Sequence, residues 1–228
     1  MQKFTPELIN KIITLLNTEI IPAEGCTEPI AIAYAAAKAT QILGKKPERM
    51  HISCSGNIIK NVKSVIVPNS GGLIGIGVSA AMGAFAGNPD KELMVISNTT
   101  PEQLIEVRAF LDKKSIHIQH ANVSDKLYIK VKLFAGNESA SVELKQRHTN
   151  ITEIMKNDQI IFQAPHEEKN TQEDPASILT IQLIYDLAKC IDIALIKNLF
   201  DKVILLNSAI ATEGLTHDYG VNIGRNIQ

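Results

Sequence analysis

The stretch IPAEGCTEP, residues 21–29, sets one thiol between two carboxylates. Cys26 follows a Pro-Ala-Glu-Gly bend and precedes the opening of a helix, where Thr27 can cap and Glu28 and Pro29 fall in the first turn. A thiol there feels unpaired backbone N–H groups and the positive end of the helix dipole, both of which favour thiolate. Glu24 and Glu28 act in the opposite sense by like-charge repulsion. The balance describes a thiol that ionises when a cation, a metal or a substrate arrives. The same residue types also describe a structural cysteine in a tight loop, because free cysteine is commonly buried and inert.

A second group of residues suits an anion. The segment SGNIIKNVKSVIVPNSGGLIG, residues 55–75, gathers Asn57, Lys60, Asn61, Asn69 and Ser70 around glycines that include Gly71. Short polar side chains beside exposed backbone N–H groups can hold a carboxylate or a phosphate. Ordinary turns with Asn in the left-handed region are the other reading. The segment is no Walker A loop, since no Gly-Lys-Ser/Thr follows, and Gly75-Ile76-Gly77 lacks the third glycine of a dinucleotide fingerprint. His148, in the triplet His148-Thr149-Asn150, is either a loop acid or base near neutral pH or a solvated loop residue. The remaining histidines show no metal-ligand spacing. Cys54 shares a strand face with Ile52 and reads as core, and Cys190 at the end of an amphipathic helix reads the same way. Three widely spaced cysteines make neither a disulfide framework nor the clustered spacing of an iron–sulfur site.

These residues need elements to position them. Thr5-Pro6-Glu7 opens a capped helix that stops at Pro22, and a second, alanine-rich helix runs from Thr27 to Gly44. Strands are expected at Met50–Ser55, Val62–Val67, Glu92–Ser97, Ser115–His120, Lys126–Phe134, Ser139–Lys145 and Gln159–Gln163. The joint Ala135-Gly136-Asn137-Glu138 predicts a hairpin. A small-residue helix is expected from about Gly75, and a capped one from Thr100 to Lys113. Two more are expected at Ser177–Cys190 and Ala194–Gly214. The predicted fold is α+β: a mainly antiparallel β unit flanked by helices, with a helical C-terminal segment. Residues 1–164 form the α+β domain, 165–175 a polar linker, and 176–228 the helical segment.

Composition limits the partners. Lys+Arg 23 against Asp+Glu 24 leaves net charge −1, so no field for nucleic acid or anionic lipid is expected. Aromatics are 4% with no Trp, so the core must be built from Ile, Leu, Val and Ala. Residues 64–88 carry no charge, but the Pro68–Gly72 turn leaves only residues 73–87, short of the ~20 a membrane-spanning helix needs. No membrane association is expected. The N-terminus lacks an apolar signal-peptide core, so the cytoplasm is the expected compartment.

EGCTEP, SGN-x-x-KN, VPNSGG with its glycine/alanine run, the HTN triplet, and AIATEGL ahead of Tyr219-Gly220 occur in this order over essentially the whole chain. In this the chain resembles the L-cysteine desulfidase group within the serine dehydratase α-chain-like proteins. The resemblance implies β-elimination of L-cysteine to sulfide, ammonia and pyruvate, or the related reaction of L-serine. It implies a [4Fe–4S] cluster and no pyridoxal phosphate. Cys26 then serves as thiolate base or as a transient cluster contact. Asn57, Lys60, Asn61 and the Asn69-Ser70-Gly71 turn hold the substrate carboxylate, with His148 and Asn150 also at the substrate site. Members of that family are about twice as long, and their cluster ligands lie in a second half with no counterpart here, so the resemblance implies that residues 176–228 are the start of an absent cluster-binding region. The resemblance therefore casts this chain as an N-terminal half, a truncation, split subunit or remnant, inactive until a separate C-terminal half joins it. A non-catalytic small-molecule-binding or interaction module is the alternative.

Overall fold

Thr5 starts the first helix, α1 (Pro6–Glu19), by accepting a hydrogen bond from the Leu8 N–H at 3.3 Å, with Pro6 at the first helical position as predicted. The structure is a computed structural model that describes residues 4–165, 175–218 and 222–227. Its contacts divide the chain into two compact units, Pro22–His166 and Met1–Ile21 with Glu167–Gln228. The first helix therefore clusters with the C-terminal segment and not with the β unit.

The central unit opens with α2 (Thr27–Leu43), whose residues from Pro29 to Ala37 are all buried and which ends at Gly44 in the left-handed region. β1 (Arg49–Cys54) follows, then α3 (Gly56–Val62). Here the sequence expectation of a strand at Val62–Val67 is overturned. Ile58 and Val62, one helical turn apart, both bury, so the segment coils from Gly56 onward. The remaining apolar residues make one isolated bridge, Ile66 to Ile74, folded back by the intervening turn.

The small-residue run forms α4 (Ile76–Ala86), and its composition has a steric cause. A Cβ built on Gly83 would lie 2.0 Å from the Ala33 carbonyl oxygen, and one on Gly87 would lie 2.7 Å from the Ala37 Cβ. Glycine is what lets α4 lie backbone to backbone on α2. The strand expected at Glu92–Ser97 is instead a 3-10 turn over Pro89–Met94, started by the Asn88 side chain accepting from the Asp90 N–H. Leu93, Val95 and Ile96 are buried there, which explains the apolar signal without a strand. The helix α5 (Pro101–Asp112) carries a complete capping box between Thr100 and Gln103.

The strands β2 (Ile116–His120), β3 (Tyr128–Ala135), β4 (Glu138–Lys145), β5 (Ile151–Lys156) and β6 (Gln159–Gln163) complete a six-stranded sheet of order β2-β1-β3-β4-β5-β6. Only β1 and β2 pair in parallel; every other pair is antiparallel, so the α+β expectation holds. The β3–β4 hairpin turns on Gly136 at φ 58, as the Gly-Asn joint predicts. The residue pattern alone does not mark β5. Met50, Ile52 and Cys54 align with Leu133, Val131 and Ile129 on the buried face, and α2 packs on that face against β3 and β4.

The stretch read as a linker lies, from residue 166 to 174, outside the described residues. In the helical unit a 3-10 turn, Pro175–Ile178, precedes α6 (Ile181–Cys190), which starts later than predicted because Thr180 caps the Leu183 N–H at 3.0 Å. The helices α7 (Lys197–Thr216) and α8 (Ile223–Ile227) follow. Cys190 is exposed, which corrects its reading as core; its thiol donates to the Asp186 carbonyl at 3.3 Å. Tyr219 and Gly220 lie outside the described residues.

Candidate functional site

Cys26 itself is the N-cap of α2, displacing Thr27 from the role its type predicts, and Thr27 becomes the first helical residue. This register brings Glu28 into the first turn, where its carboxylate can fold back to the helix mouth. The exposed Cys26 thiol donates to Glu28 Oε2 at 3.1 Å. Glu28 Oε1 accepts from the Asn61 side-chain amide at 3.0 Å, so the last turn of α3 holds the carboxylate in place. The Thr27 hydroxyl lies 3.1 Å from His148 Nε2, although 121 residues separate the two in sequence. His148 sits in the loop between β4 and β5.

The charges of this network follow from its contacts. Burial, the hydrogen bond to Glu28 and the Glu28 charge together push the Cys26 thiol above its ordinary value, with the Glu28 backbone N–H only partly offsetting them. Burial pushes Glu28 up as well, but the Cys26 thiol, its own backbone N–H, the Asn61 amide and His148 outweigh it, so Glu28 ends below the usual carboxylate value. Burial lowers His148, against a smaller opposing pull from Glu28. Near neutral pH the site therefore holds a protonated thiol, an ionised carboxylate and a neutral imidazole.

Glu24, the other carboxylate of the motif, does a different job. Its Oε1 accepts from the Ile96 N–H at 2.9 Å and its Oε2 from the Asn69 amide at 2.9 Å. Asn69 also donates to the Ile96 carbonyl at 3.2 Å and stands at φ 57, a left-handed position that Asn tolerates. Burial dominates these bonds and leaves Glu24 above the ordinary carboxylate value. A Cβ on Gly25, which has φ 136, would meet Pro68 Cγ at 3.8 Å, so the cysteine loop runs against the VPNSGG turn.

The remaining predicted residues fall outside the thiol network. Ser70 is buried, donates to the Leu73 carbonyl at 3.1 Å and accepts from its N–H at 2.9 Å, so its hydroxyl is committed to the turn. The Gly71 carbonyl accepts from Arg108 at 3.4 Å, which places a guanidinium beside the turn. Asn57 and Lys60 are exposed on α3. Asn150 donates to the Lys145 carbonyl at 3.0 Å and closes the loop that carries His148. Cys26, Asn61 and His148 are thus brought together, through Glu28 and Thr27. The residue types did not single out Glu28 as acceptor, Thr27 as the partner of His148, Glu24 as a clasp, or Arg108. The signal available for Glu28 was its place in the first turn of a helix, where carboxylates return to the N-terminus.

The donor set does not fit an iron–sulfur cluster. Among the described residues no group of three or more His, Cys, Asp or Glu is placed to hold a metal ion. Cys54 is fully buried and its thiol is pushed up to about 12 by burial, while Cys190 lies on α6 in the other unit. No described helix is long and apolar enough to cross a membrane.

No family model matches the chain, and no solved structure matches it. A protein from Fusobacterium nucleatum subsp. nucleatum is 52% identical over 223 residues, covering 96% of this chain and 52% of its own length. A protein from Lachnoclostridium phytofermentans is 38% identical over 217 residues, covering 95% of this chain and 52% of its own. A third, from Treponema denticola, is 36% identical over 219 residues, covering 95% and 51% respectively. All three carry the name UPF0597 protein. The chain is similar to them along nearly its whole sequence and spans about half the length of the curated relatives it matches.

Proposed function

We propose that this chain supplies the acid–base part of an L-cysteine desulfidase active site in the cytoplasm, L-serine being the alternative substrate. The [4Fe–4S] cluster would be held by polypeptide equivalent to the unmatched part of the relatives, with no pyridoxal phosphate. The observation that supports the reading is the exposed Cys26 thiol at a helix mouth, donating at 3.1 Å to a carboxylate that Asn61 holds. In β-elimination a base takes the Cα proton, that C–H pair becomes the Cα=Cβ bond, and the Cβ–S pair leaves with sulfur. A protonated thiol cannot act as that base, and Glu28 is the group placed to take its proton first. The resulting thiolate then receives the Cα proton. A neighbouring ammonium or metal centre would favour this transfer, since opposite charge stabilises thiolate. The Asn69-Ser70-Gly71 turn with Arg108 is the proposed seat of the substrate carboxylate.

The test is sulfide release from L-cysteine by the chain combined anaerobically with the unmatched portion of the Fusobacterium nucleatum relative. Cys26→Ala is expected to lower the rate by roughly a hundredfold or more, the usual range for losing an acid–base group. An unchanged rate removes Cys26 from the chemistry. The second reading, a non-catalytic module that binds a small amino acid, gains support from the protonated resting thiol. Calorimetric binding of L-cysteine or L-serine that survives Cys26→Ala, with no sulfide evolved by the combined proteins, would favour it.

A further inference from the structure

In α7, 20 residues long, no residue is buried. Yet Phe200, Ile204, Leu205, Leu206, Ile210 and Leu215 project from it with 37% to 69% of their surface open to water. At about 100° per residue, all of these but Leu205 fall within one half of the helix circumference. Asp201, Lys202 and Thr212 lie on the other half. An amphipathic helix of this kind gains its stability by burying its apolar side, and contiguous exposed apolar surface marks an interaction site. The helix is about 30 Å long, enough to seat a whole layer of another domain. The preceding helix in the sequence, α6, also leaves Ile184 and Tyr185 more than half exposed.

The length of the relatives argues for one occupant of this face. The Fusobacterium nucleatum relative shares 52% identity across 96% of this chain, and the matched part is only 52% of its length. Nearly half of that relative's own chain therefore lies outside the matched part. We infer that the apolar face of α7 is the docking surface for a polypeptide equivalent to that unmatched portion. The desulfidase reading is not needed for this, because the inference rests on surface and length alone.

The 228-residue chain would be co-expressed with the unmatched portion of that relative, and separately fused to it. Amide hydrogen exchange would be followed across residues 197–216. Co-purification in equal amounts is expected, with α7 exchange slowed at least about tenfold in both formats. Ile204→Glu combined with Ile210→Glu should abolish both effects while leaving the helical circular dichroism of the chain unchanged. Unaltered α7 exchange in the fusion overturns the inference. Protection that instead grows with the concentration of the chain alone makes a second copy the occupant, which overturns it too. The Cys26→Ala chain should form the same complex, so loss of catalysis and loss of docking are read separately.

Discussion

Cys26 sits where a helix dipole would draw out its proton, and its surroundings keep the proton on. Burial and the Glu28 carboxylate outweigh the N-terminal amides, so the thiol stands above its ordinary value of 9.0. Glu28→Gln keeps an oxygen for Asn61 while removing the negative charge, and should lower the thiol pKa. Alkylation of Cys26 by iodoacetamide at about pH 8 should then accelerate roughly threefold to tenfold, read by peptide mass spectrometry. An unchanged rate would mean that the carboxylate does not govern the thiol. His148 gives a second test. Its folded value lies below 6.5, so its contribution to stability is fully present above that pH and is lost as pH falls through the folded value. Proton NMR should place its midpoint below 6.5, and lower still in Glu28→Gln, because Glu28 is the influence that raises it. A midpoint above 6.5 contradicts the half-buried, neutral imidazole.

Two of the helices owe their placement to a missing side chain. With a Cβ on Gly83 set 2.0 Å from the Ala33 carbonyl oxygen, α2 and α4 cannot keep their separation. Gly83→Ala should destabilise the protein by about 3 kcal/mol or more, at or beyond the top of the overpacking range, and lower the thermal midpoint accordingly. Thr100→Ala removes the capping box of α5 and should cost about 1 kcal/mol by denaturant titration. If the glycine substitution proved milder than the cap substitution, the close approach of the two helices would be wrong. The two mistaken strands belong to this scale as well. Val62–Val67 and Glu92–Ser97 are short apolar runs, which bury equally well in a helix turn or a 3-10 turn.

Across the whole molecule, burial is uneven. The fully buried side chains lie in α2, α3, α4, α5 and the strands β1, β3 and β4, together with the turns between them. In the helical unit, Ile12 and Leu187 are the buried hydrophobics among the described residues. Local opening follows buried apolar contact, so the slowest amides in native-state hydrogen exchange should map to α2, β1 and β3. Those of α7 should exchange at least about a hundredfold faster in the chain alone. Equal protection in both places would contradict the exposure of the α7 face.

Helix starts at Thr5 and Thr100, the Gly136-Asn137 hairpin and the alternation along β3 were legible from residue order. Each signal comes from backbone stereochemistry or from a side chain meeting an amide within about four residues. The α+β class followed from the same local patterns. The convergence of Thr27 with His148, of Glu28 with Asn61 and of Glu24 with Asn69 was not legible. An imidazole or an amide can be satisfied by many partners, and sequence order does not say which one packing will bring near. That choice was made when α2 settled on β3 and β4 while the loop after β4 came to rest beside its N-terminus.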